Sequence, residues 1–316
     1  MYPTFYHLVQ DLFGVSFEPF KYLQSYGMMV GVGFIVGSFL LAIELKRKES
    51  IGQLTATKTK KKKKGGTKNE IELIHPHERV GDIAIIAGIG AIVGGKLFHY
   101  LENWDEFIAA PIESITSGGG LSFYGGMLLG MALFVWYARK HKISILHFFD
   151  AVMPALAIGY GFGRLGCHVS GDGDWGIPND LPKPEWMSFL PDWMWAYNYP
   201  NNVLGVDMVE YFSNKGYESL TGFAYPTPIY EIIMSIIIFA ILWSMRKRWT
   251  VPGIMLSAYL VLSGIERILI EQIRINNEYN ILGGITQAEI ISTTTILVGL
   301  AGFYYMPKVG ERWAKW

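Results

Sequence analysis

Cysteine and charge are the two things that this sequence has little of. Cys167 is its one cysteine, which excludes an intrachain disulfide and a metal site built from several cysteines, although a free thiol remains possible. Only 17% of the 316 residues are charged and 51% are hydrophobic, which is unusual for a soluble domain of this length. The N-terminal stretch also lacks the basic segment, apolar core and cleavage site of a secretory signal peptide.

Apolar runs long enough to cross a bilayer recur along the chain. A helix of about 20 residues spans a hydrocarbon core of roughly 30 Å. We place such runs at 26–45, 81–101, 121–138, 145–166, 226–245, 253–272 and 288–305. The sequence therefore predicts an all-α integral membrane protein with seven transmembrane helices.

The basic residues are distributed unevenly although the net charge is zero, with 27 basic and 27 acidic residues. Lysine and arginine accumulate on the cytoplasmic side of membrane proteins. Here they concentrate in the segments that join spans one to two, three to four and five to six, and in the C-terminal tail. The opposite side carries only Lys21, Lys183, Lys215 and Arg274. This pattern predicts an N-terminus outside the cell and a cytoplasmic C-terminus.

The topology divides the chain into segments, two of which have a marked composition. The predicted segments are an external N-terminal part (1–25), the first span (26–45), a basic cytoplasmic linker (46–80), spans two to four with a glycine-rich external loop (81–166), an external head (167–225), spans five to seven (226–305) and a cytoplasmic tail (306–316). The lysine tract KTKKKKKGGTK at 58–68 is predicted to be disordered and solvated, with attraction to anionic lipid headgroups and no role in nucleic-acid binding. The head is rich in Trp, Tyr and Pro, and we expect it to rest on the outer face of the membrane.

Charged side chains inside two of the apolar runs indicate a buried polar site. Arg267 and Glu271 interrupt the sixth run, and Arg164 lies in the apolar sequence PALAIGYGFGRLG. A charge in hydrocarbon costs roughly 3 kcal/mol on insertion scales, so it persists where it faces a polar interior. The two arginines could share an anion, or each could pair with a carboxylate such as Asp150 or Glu231.

Three polar or glycine-rich stretches lie where predicted spans meet the outer face. In SGGGLSFYGGMLLG, the amides of Gly118–Gly120 and Gly125–Gly126 could cradle an anion, and close helix packing is the alternative. In GRLGCHVSGDGDWG, Asp172 and Asp174 do not continue the ligand spacing of an EF-hand, which favours a polar turn. The third stretch, YPTPIYE, ends in Glu231 at the start of the fifth span.

Taken in order, these stretches resemble the prolipoprotein diacylglyceryl transferase family. The matching features are Tyr26-Gly27, GGLSFYGG, GRLGCHVSGDGDWG, YPTPIYE, and Arg267 followed four residues on by Glu271. The chain departs from the family pattern at four positions: Tyr124 and Tyr225 replace histidines, Cys167 replaces an asparagine and Pro228 replaces a glutamine. Asp172 is the best counterpart of the family's glutamate before the tryptophan.

The resemblance implies transfer of the diacylglyceryl group of phosphatidylglycerol to the cysteine thiol of a preprolipoprotein signal segment, in the inner membrane of a bacterium. It implies no cofactor and no metal. Arg164 and Arg267 would hold the phosphate because a guanidinium offers a fork of donors, and Glu271 would orient Arg267. An imidazole could accept the thiol proton, whereas a phenol near pKa 10 is a poor base. The remaining expected site residues are His168 as the base, Tyr26 and Tyr124 as hydrogen-bond donors, and Gly125, Gly126, Asp172 and Glu231 as substrate contacts.

Two other functions remain open. The chain could be a catalytically impaired relative that binds lipid or lipoprotein without transferring a group. It could also be a small-anion transporter, although the sequence shows no internal repeat of the kind common in transporters.

Overall fold

A computed structural model describes residues 1–62, 69–116, 122–275, 278–279 and 284–314, and these residues are mostly helical. The α-helices among them are α1 (Phe5–Phe13), α2 (Ser25–Ser50), α3 (Val80–Glu102), α4 (Trp104–Ala109), α5 (Pro111–Thr116), α6 (Phe123–Lys140), α7 (Ile145–Ser170), α8 (Met208–Asn214), α9 (Thr227–Met245), α10 (Ile254–Glu271) and α11 (Gln287–Trp313). The strands form two antiparallel pairs, β1 (Thr57–Lys62) with β2 (Asn69–Ile74) and β3 (Glu278–Tyr279) with β4 (Ile285–Thr286).

Each of the apolar runs predicted as a span contains a helix. Among the described residues, five helices are long and apolar enough to cross a membrane: Ser25–Ser50, Pro76–Glu102, Ile145–Ser170, Thr227–Met245 and Gln287–Trp313. The fold is thus that of a helical membrane protein. Helices α2, α7 and α11 continue beyond the ends predicted for them, because polar residues near a helix end can remain helical outside an apolar core.

The chain divides into two compact units, of which the first comprises Met1–Gly37 and Val152–Lys308. Its helices approach each other closely at positions where one helix has a glycine. A Cβ on Gly33 of α2 would lie 2.8 Å from Phe162 Cβ of α7, and one on Gly264 of α10 would lie 2.9 Å from the Ser292 carbonyl oxygen of α11. Small residues therefore let these helices pack with their backbones close together.

The first unit also contains the aromatic segment predicted as a head. It begins after Ser170, since α7 extends past the predicted end at 166. Its core is formed by Trp175, Tyr199, Met208, Phe212 and Ala224, and the rings of Trp175 and Tyr199 lie 5.0 Å apart. This apolar cluster gives the segment a core of its own beside the helices.

The second unit comprises Ser38–Ala151 and Val309–Trp316. Strand β1 lies within it and pairs with β2 from Thr57↔Ile74 to Lys62↔Asn69. The expectation of a disordered lysine tract is therefore wrong for 58–62, because antiparallel pairing with a partner strand satisfies the backbone hydrogen bonds of the basic segment. Residues 63–68 of the tract lie outside the described residues.

Candidate active site

Charged side chains of the first unit converge where α7, α9 and α10 meet. Arg164 comes from α7, Glu231 from the first turns of α9, and Arg267 and Glu271 from α10. The structure thus brings together both arginines of the predicted spans with two of the predicted carboxylates, Glu231 and Glu271.

Glu231 is the centre of this cluster. Its side chain is fully buried, and its Oε1 lies 3.4 Å from Arg164 Nε, 3.7 Å from Arg267 Nη1 and 3.8 Å from Arg274 Nη1. Tyr160 donates its hydroxyl hydrogen to the same oxygen over 2.8 Å. One carboxylate therefore faces three guanidinium groups, which compensates the cost of burying it.

Asp174 joins two of the arginines from the loop that follows α7. Arg274 Nη2 donates to its Oδ1 over 2.7 Å, and Arg164 Nη1 donates to its Oδ2. Burial by itself would raise the pKa of Asp174, but Arg274 and Arg164 outweigh that effect and hold the pKa below its ordinary value. Asp174 is accordingly an anion that bridges the two arginines.

Backbone pairing fixes the position of this loop. Ile177 N–H donates to the Ile273 carbonyl over 2.9 Å, next to Arg274, and Gly176 N–H donates to the Tyr225 carbonyl over 2.9 Å. A Cβ on Gly176 would collide with the Ile273 carbonyl and lie 2.9 Å from Tyr225 Cβ, so this position requires glycine. The loop and the segment after α10 therefore present Asp174 and Arg274 to each other.

Helix α10 contributes Glu266, Arg267 and Glu271 to the cluster. Arg267 Nη2 lies 3.0 Å from Glu271 Oε2, at the four-residue spacing that places two side chains on the same side of a helix. Glu266, the residue before Arg267, lies with its Oε1 3.3 Å from the Tyr160 hydroxyl. Tyr160 thus connects the carboxylates of α9 and α10.

The carboxylates Glu231 and Glu271 are more deeply buried than the arginines around them. The side chains of Glu231 and Glu271 are 0% and 2% exposed, whereas those of Arg164, Arg267 and Arg274 are 19%, 26% and 14% exposed. Within the described part of the chain, Arg274 Nε and Nη1 are buried and have no hydrogen-bond acceptor. Buried carboxylates thus lie against the guanidinium groups, and Arg267 and Arg164 have the side chains of the cluster's arginines that solvent reaches most.

Asp174, and not Asp172, makes the ion pairs of this loop with arginine. Asp172 accepts a hydrogen bond from Asp174 N–H over 3.3 Å, while the ion pairs to Arg164 and Arg274 belong to Asp174. Burial, and then the neighbouring Asp174, raise the pKa of Asp172 above its ordinary value. The expected contact of Asp172 with the substrate stays a prediction.

Two further predicted site residues lie in the same unit but outside the ion-pair cluster. Tyr26 is in the first turn of α2, beside Gly166 of α7, where a Cβ would lie 3.1 Å from Tyr26 Cδ2. His168 is one turn beyond Arg164 on α7, and its ring lies 5.6 Å from that of Tyr197 and 5.7 Å from that of Tyr199. The imidazole is thus surrounded by aromatic rings of the head.

Tyr124, Gly125 and Gly126 belong to α6 of the second unit. A Cβ on Gly125 would collide with the Gly94 carbonyl oxygen, and one on Gly126 would lie 2.9 Å from the Ala91 carbonyl oxygen, both on α3. The two glycines therefore serve helix packing, the alternative left open by the sequence, and a further part in binding an anion stays a prediction. Gly118–Gly120 lie outside the described residues.

The sequence interpretation missed Tyr160, Asp174, Glu266 and Arg274 as members of the site. A signal for Arg274 was present, because it follows Arg267 by seven residues and Glu271 by three, which continues one helical face. Asp174 lies within a quoted motif, but its pairing depends on the contact between the loop and Ile273. No local pattern singles out Tyr160 from the other aromatic residues of the spans.

Comparisons with known proteins identify the family of this chain. The model of the family described as prolipoprotein diacylglyceryl transferase matches residues 15–305. A phosphatidylglycerol–prolipoprotein diacylglyceryl transferase of Leptospira interrogans is 27% identical over 279 residues, which cover 80% of this chain and 72% of the relative.

Two more relatives have the same name. The one from Clostridium tetani is 26% identical over 294 residues, or 93% of this chain and 94% of the relative. The one from Synechococcus elongatus is 28% identical over 234 residues, or 72% of each chain. The match to the family model covers most of the sequence, including every element that contributes to the charged cluster. The chain therefore belongs to the prolipoprotein diacylglyceryl transferase family.

Proposed function

We propose that this protein transfers the diacylglyceryl group of phosphatidylglycerol to the lipobox cysteine thiol of a preprolipoprotein. The observation that carries the proposal is the cluster of Arg164, Arg267 and Arg274 around the buried Glu231, in a chain of this family. The products are a thioether-linked lipoprotein precursor and glycerol phosphate.

The two products determine which bond of phosphatidylglycerol breaks. The new bond joins the substrate sulfur to the terminal glycerol carbon of the diacylglyceryl group. The bond from that carbon to the phosphate oxygen breaks, its electron pair leaves with the phosphate, and the thiol gives up its proton. Sulfur therefore attacks carbon, and the site has to stabilise a departing phosphate.

The three arginines are suited to this electrostatic task. A guanidinium remains charged and presents several N–H donors whose geometry matches phosphate oxygens. Arg267 and Arg164 have the most exposed side chains of the three, whereas Arg274 Nε and Nη1 are buried and add positive charge from the inner side of the cluster. Glu231, Glu271 and Asp174 hold these groups in place before substrate binds, so little reorganisation is needed.

The thiol proton requires an acceptor, for which we propose His168. The ring follows Arg164 by four residues, which places both on one side of α7. Asp172 is the second candidate, because burial raises its pKa and so makes its carboxylate a better base than an ordinary aspartate. We assign Tyr26 and Tyr124 to hydrogen bonds with the lipid headgroup, and Gly125, Gly126, Asp172 and Glu231 to the surroundings of the substrate.

A membrane arrangement accompanies the proposed reaction. We propose seven spans formed by α2, α3, α6, α7, α9, α10 and α11 in the bacterial inner membrane, with the N-terminus and the head outside and the C-terminus in the cytoplasm. Exposed apolar side chains on the head support its contact with the outer leaflet, since Trp186 is 71% and Phe189 79% exposed. Phosphatidylglycerol would then enter from the bilayer and the signal segment from the same leaflet.

A genetic experiment tests the proposal against its alternatives. A bacterial strain depleted of its own transferase is supplied with this chain, and the lipid modification of a reporter lipoprotein is measured by mass spectrometry. We expect modification to be restored by the wild type and not by Arg164→Ala at equal expression. Expression without any modified reporter would favour a lipid-binding relative, and anion uptake by reconstituted liposomes would favour a transporter.

A further inference from the structure

A cluster of metal-ligand type lies in the second unit, apart from the residues assigned to transfer. Glu49 near the end of α2 faces His75 and His77 in the segment that leads into α3. Their nearest ligand atoms all lie within 4.8 Å of one another. None of the motifs on which the family resemblance was based includes these three residues.

The distances between the donor atoms fit the coordination of a small divalent ion. His75 Nδ1 lies 3.1 Å from Glu49 Oε2, and His77 Nδ1 lies 2.9 Å from the same oxygen. Two ligand atoms about 2.0–2.1 Å from a tetrahedral zinc ion are roughly 3.3 Å apart. Small side-chain rotations would therefore place both imidazole nitrogens and one carboxylate oxygen around a common centre.

Backbone hydrogen bonds hold the segment with the two histidines next to Glu49. Glu49 Oε1 accepts a hydrogen bond from His77 N–H over 2.9 Å, and Glu78 Oε2 accepts one from His75 N–H over 2.8 Å. Pro76 lies between the two histidines and restricts the backbone there. The first bond orients the Glu49 carboxylate, and the second, with Pro76, fixes the backbone from which both imidazole groups extend.

The side chains also differ in exposure in a way that suits ion entry. Glu49 is 12% exposed, His77 is 30% exposed and His75 is 45% exposed. The carboxylate is thus shielded from water while the imidazole groups open to solvent. A fourth coordination position would face water, as in zinc sites with three protein ligands.

We propose that Glu49, His75 and His77 form a binding site for one late first-row transition metal ion, with Zn²⁺ as the best match. Two imidazole nitrogens and one carboxylate oxygen favour zinc and its neighbours, whereas calcium and magnesium prefer sites built from oxygen alone. This inference replaces the expectation of no metal that accompanied the family resemblance. The bound ion would link the end of α2 to the start of α3 and close the chain segment between them.

Zinc titration of the full-length protein tests this site. The protein is purified in detergent with a streptavidin-binding tag in place of a histidine tag, stripped with chelator, and titrated with ZnCl₂ against a chromophoric competitor. We expect one saturable zinc equivalent per chain. His75→Gln and His77→Gln should each weaken its affinity at least about ten-fold, and lower pH should weaken binding to the wild type because ligating imidazole must be unprotonated.

The control variant is His99→Gln, which makes the same change on α3 of the same unit outside the cluster. Its zinc affinity should equal that of the wild type, and gel filtration should show that all variants remain folded. Absence of a saturable equivalent in the wild type would overturn the proposal, and so would equal affinity in the wild type and the His75→Gln/His77→Gln double variant. Either readout is independent of transferase activity, so a failed transfer assay does not affect it.

Discussion

Replacement of Arg267 by alanine separates a role in phosphate binding from a role in structural ion pairing. In the folded protein, Arg267 Nη2 lies 3.0 Å from Glu271 Oε2 and Nη1 lies 3.7 Å from Glu231 Oε1. The substitution removes a donor for the leaving phosphate, which typically lowers the rate about 10²–10³-fold, or about 2.7–4 kcal/mol. It also leaves Glu271 buried without its cation, which typically costs about 3–5 kcal/mol of stability.

A second substitution distinguishes the two effects. Arg267→Ala combined with Glu271→Gln removes the unpaired negative charge, so the free energy of unfolding should recover most of its loss. The rate should remain low, because the phosphate still lacks its guanidinium. Arg267→Lys retains the charge without the fork of donors and should give an intermediate rate.

The assay measures initial rates of lipobox-peptide modification in mixed micelles of detergent and phosphatidylglycerol, together with thermal unfolding of each variant. Arg248→Ala, at an exposed position after α9, serves as the matched control and should behave as the wild type in both measurements. Recovery of the rate in parallel with stability in the double variant would exclude a direct role of Arg267 in phosphate binding. Arg267 would then contribute only as an ion-pair partner of Glu271.

Other predictions concern the proton acceptor, the loop carboxylate and the lysine tract. His168→Gln should lower the rate of peptide modification at least about ten-fold, because general-base catalysis typically contributes about 10²–10⁴-fold. Tyr124→Phe should lower the rate less. The reverse ranking in the same assay would assign the more important catalytic role to Tyr124. The pKa of Asp174 is depressed in the folded protein, so its stabilising effect is present above the ordinary value of 3.8 and is lost as pH falls through the folded pKa. Asp174→Asn should thus destabilise the protein at pH 7 and reduce the acid dependence of unfolding, measured by thermal scans between pH 3 and 7. Removal of residues 58–64 should change the specific activity by no more than a few-fold. A cysteine that replaces Thr59 should not react with a membrane-impermeant thiol reagent in intact cells. Labelling at that position would contradict the proposed topology.

The helices were predictable because their signal is simple. An apolar run of bilayer length that cannot expose its backbone to lipid forms a helix, and each predicted run contains one. Helix ends were less predictable, as α7 shows by continuing to Ser170. The strand at Thr57–Lys62 was missed because side-chain charge argued for disorder, whereas the backbone pairs with the less basic segment Asn69–Ile74.

The site was predictable where a charge stands out against an apolar background. Arg164, Arg267 and Glu271 are conspicuous for that reason, and they do lie together with Glu231. Asp174 stands in polar sequence outside the spans, where charge is ordinary. Its position in the cluster follows from hydrogen bonds between the loop and the segment after α10, which connect residues far apart in the chain.

Mass spectrometry of a lipobox peptide incubated with the purified protein and phosphatidylglycerol measures the proposed transfer itself. We expect a peptide whose cysteine has gained one diacylglyceryl group through a thioether, with an equal amount of glycerol phosphate released. Arg164→Ala and Arg267→Ala should form neither product at a comparable rate. An unmodified peptide, under conditions in which an active family member modifies it, would contradict the assignment of this chain as a diacylglyceryl transferase.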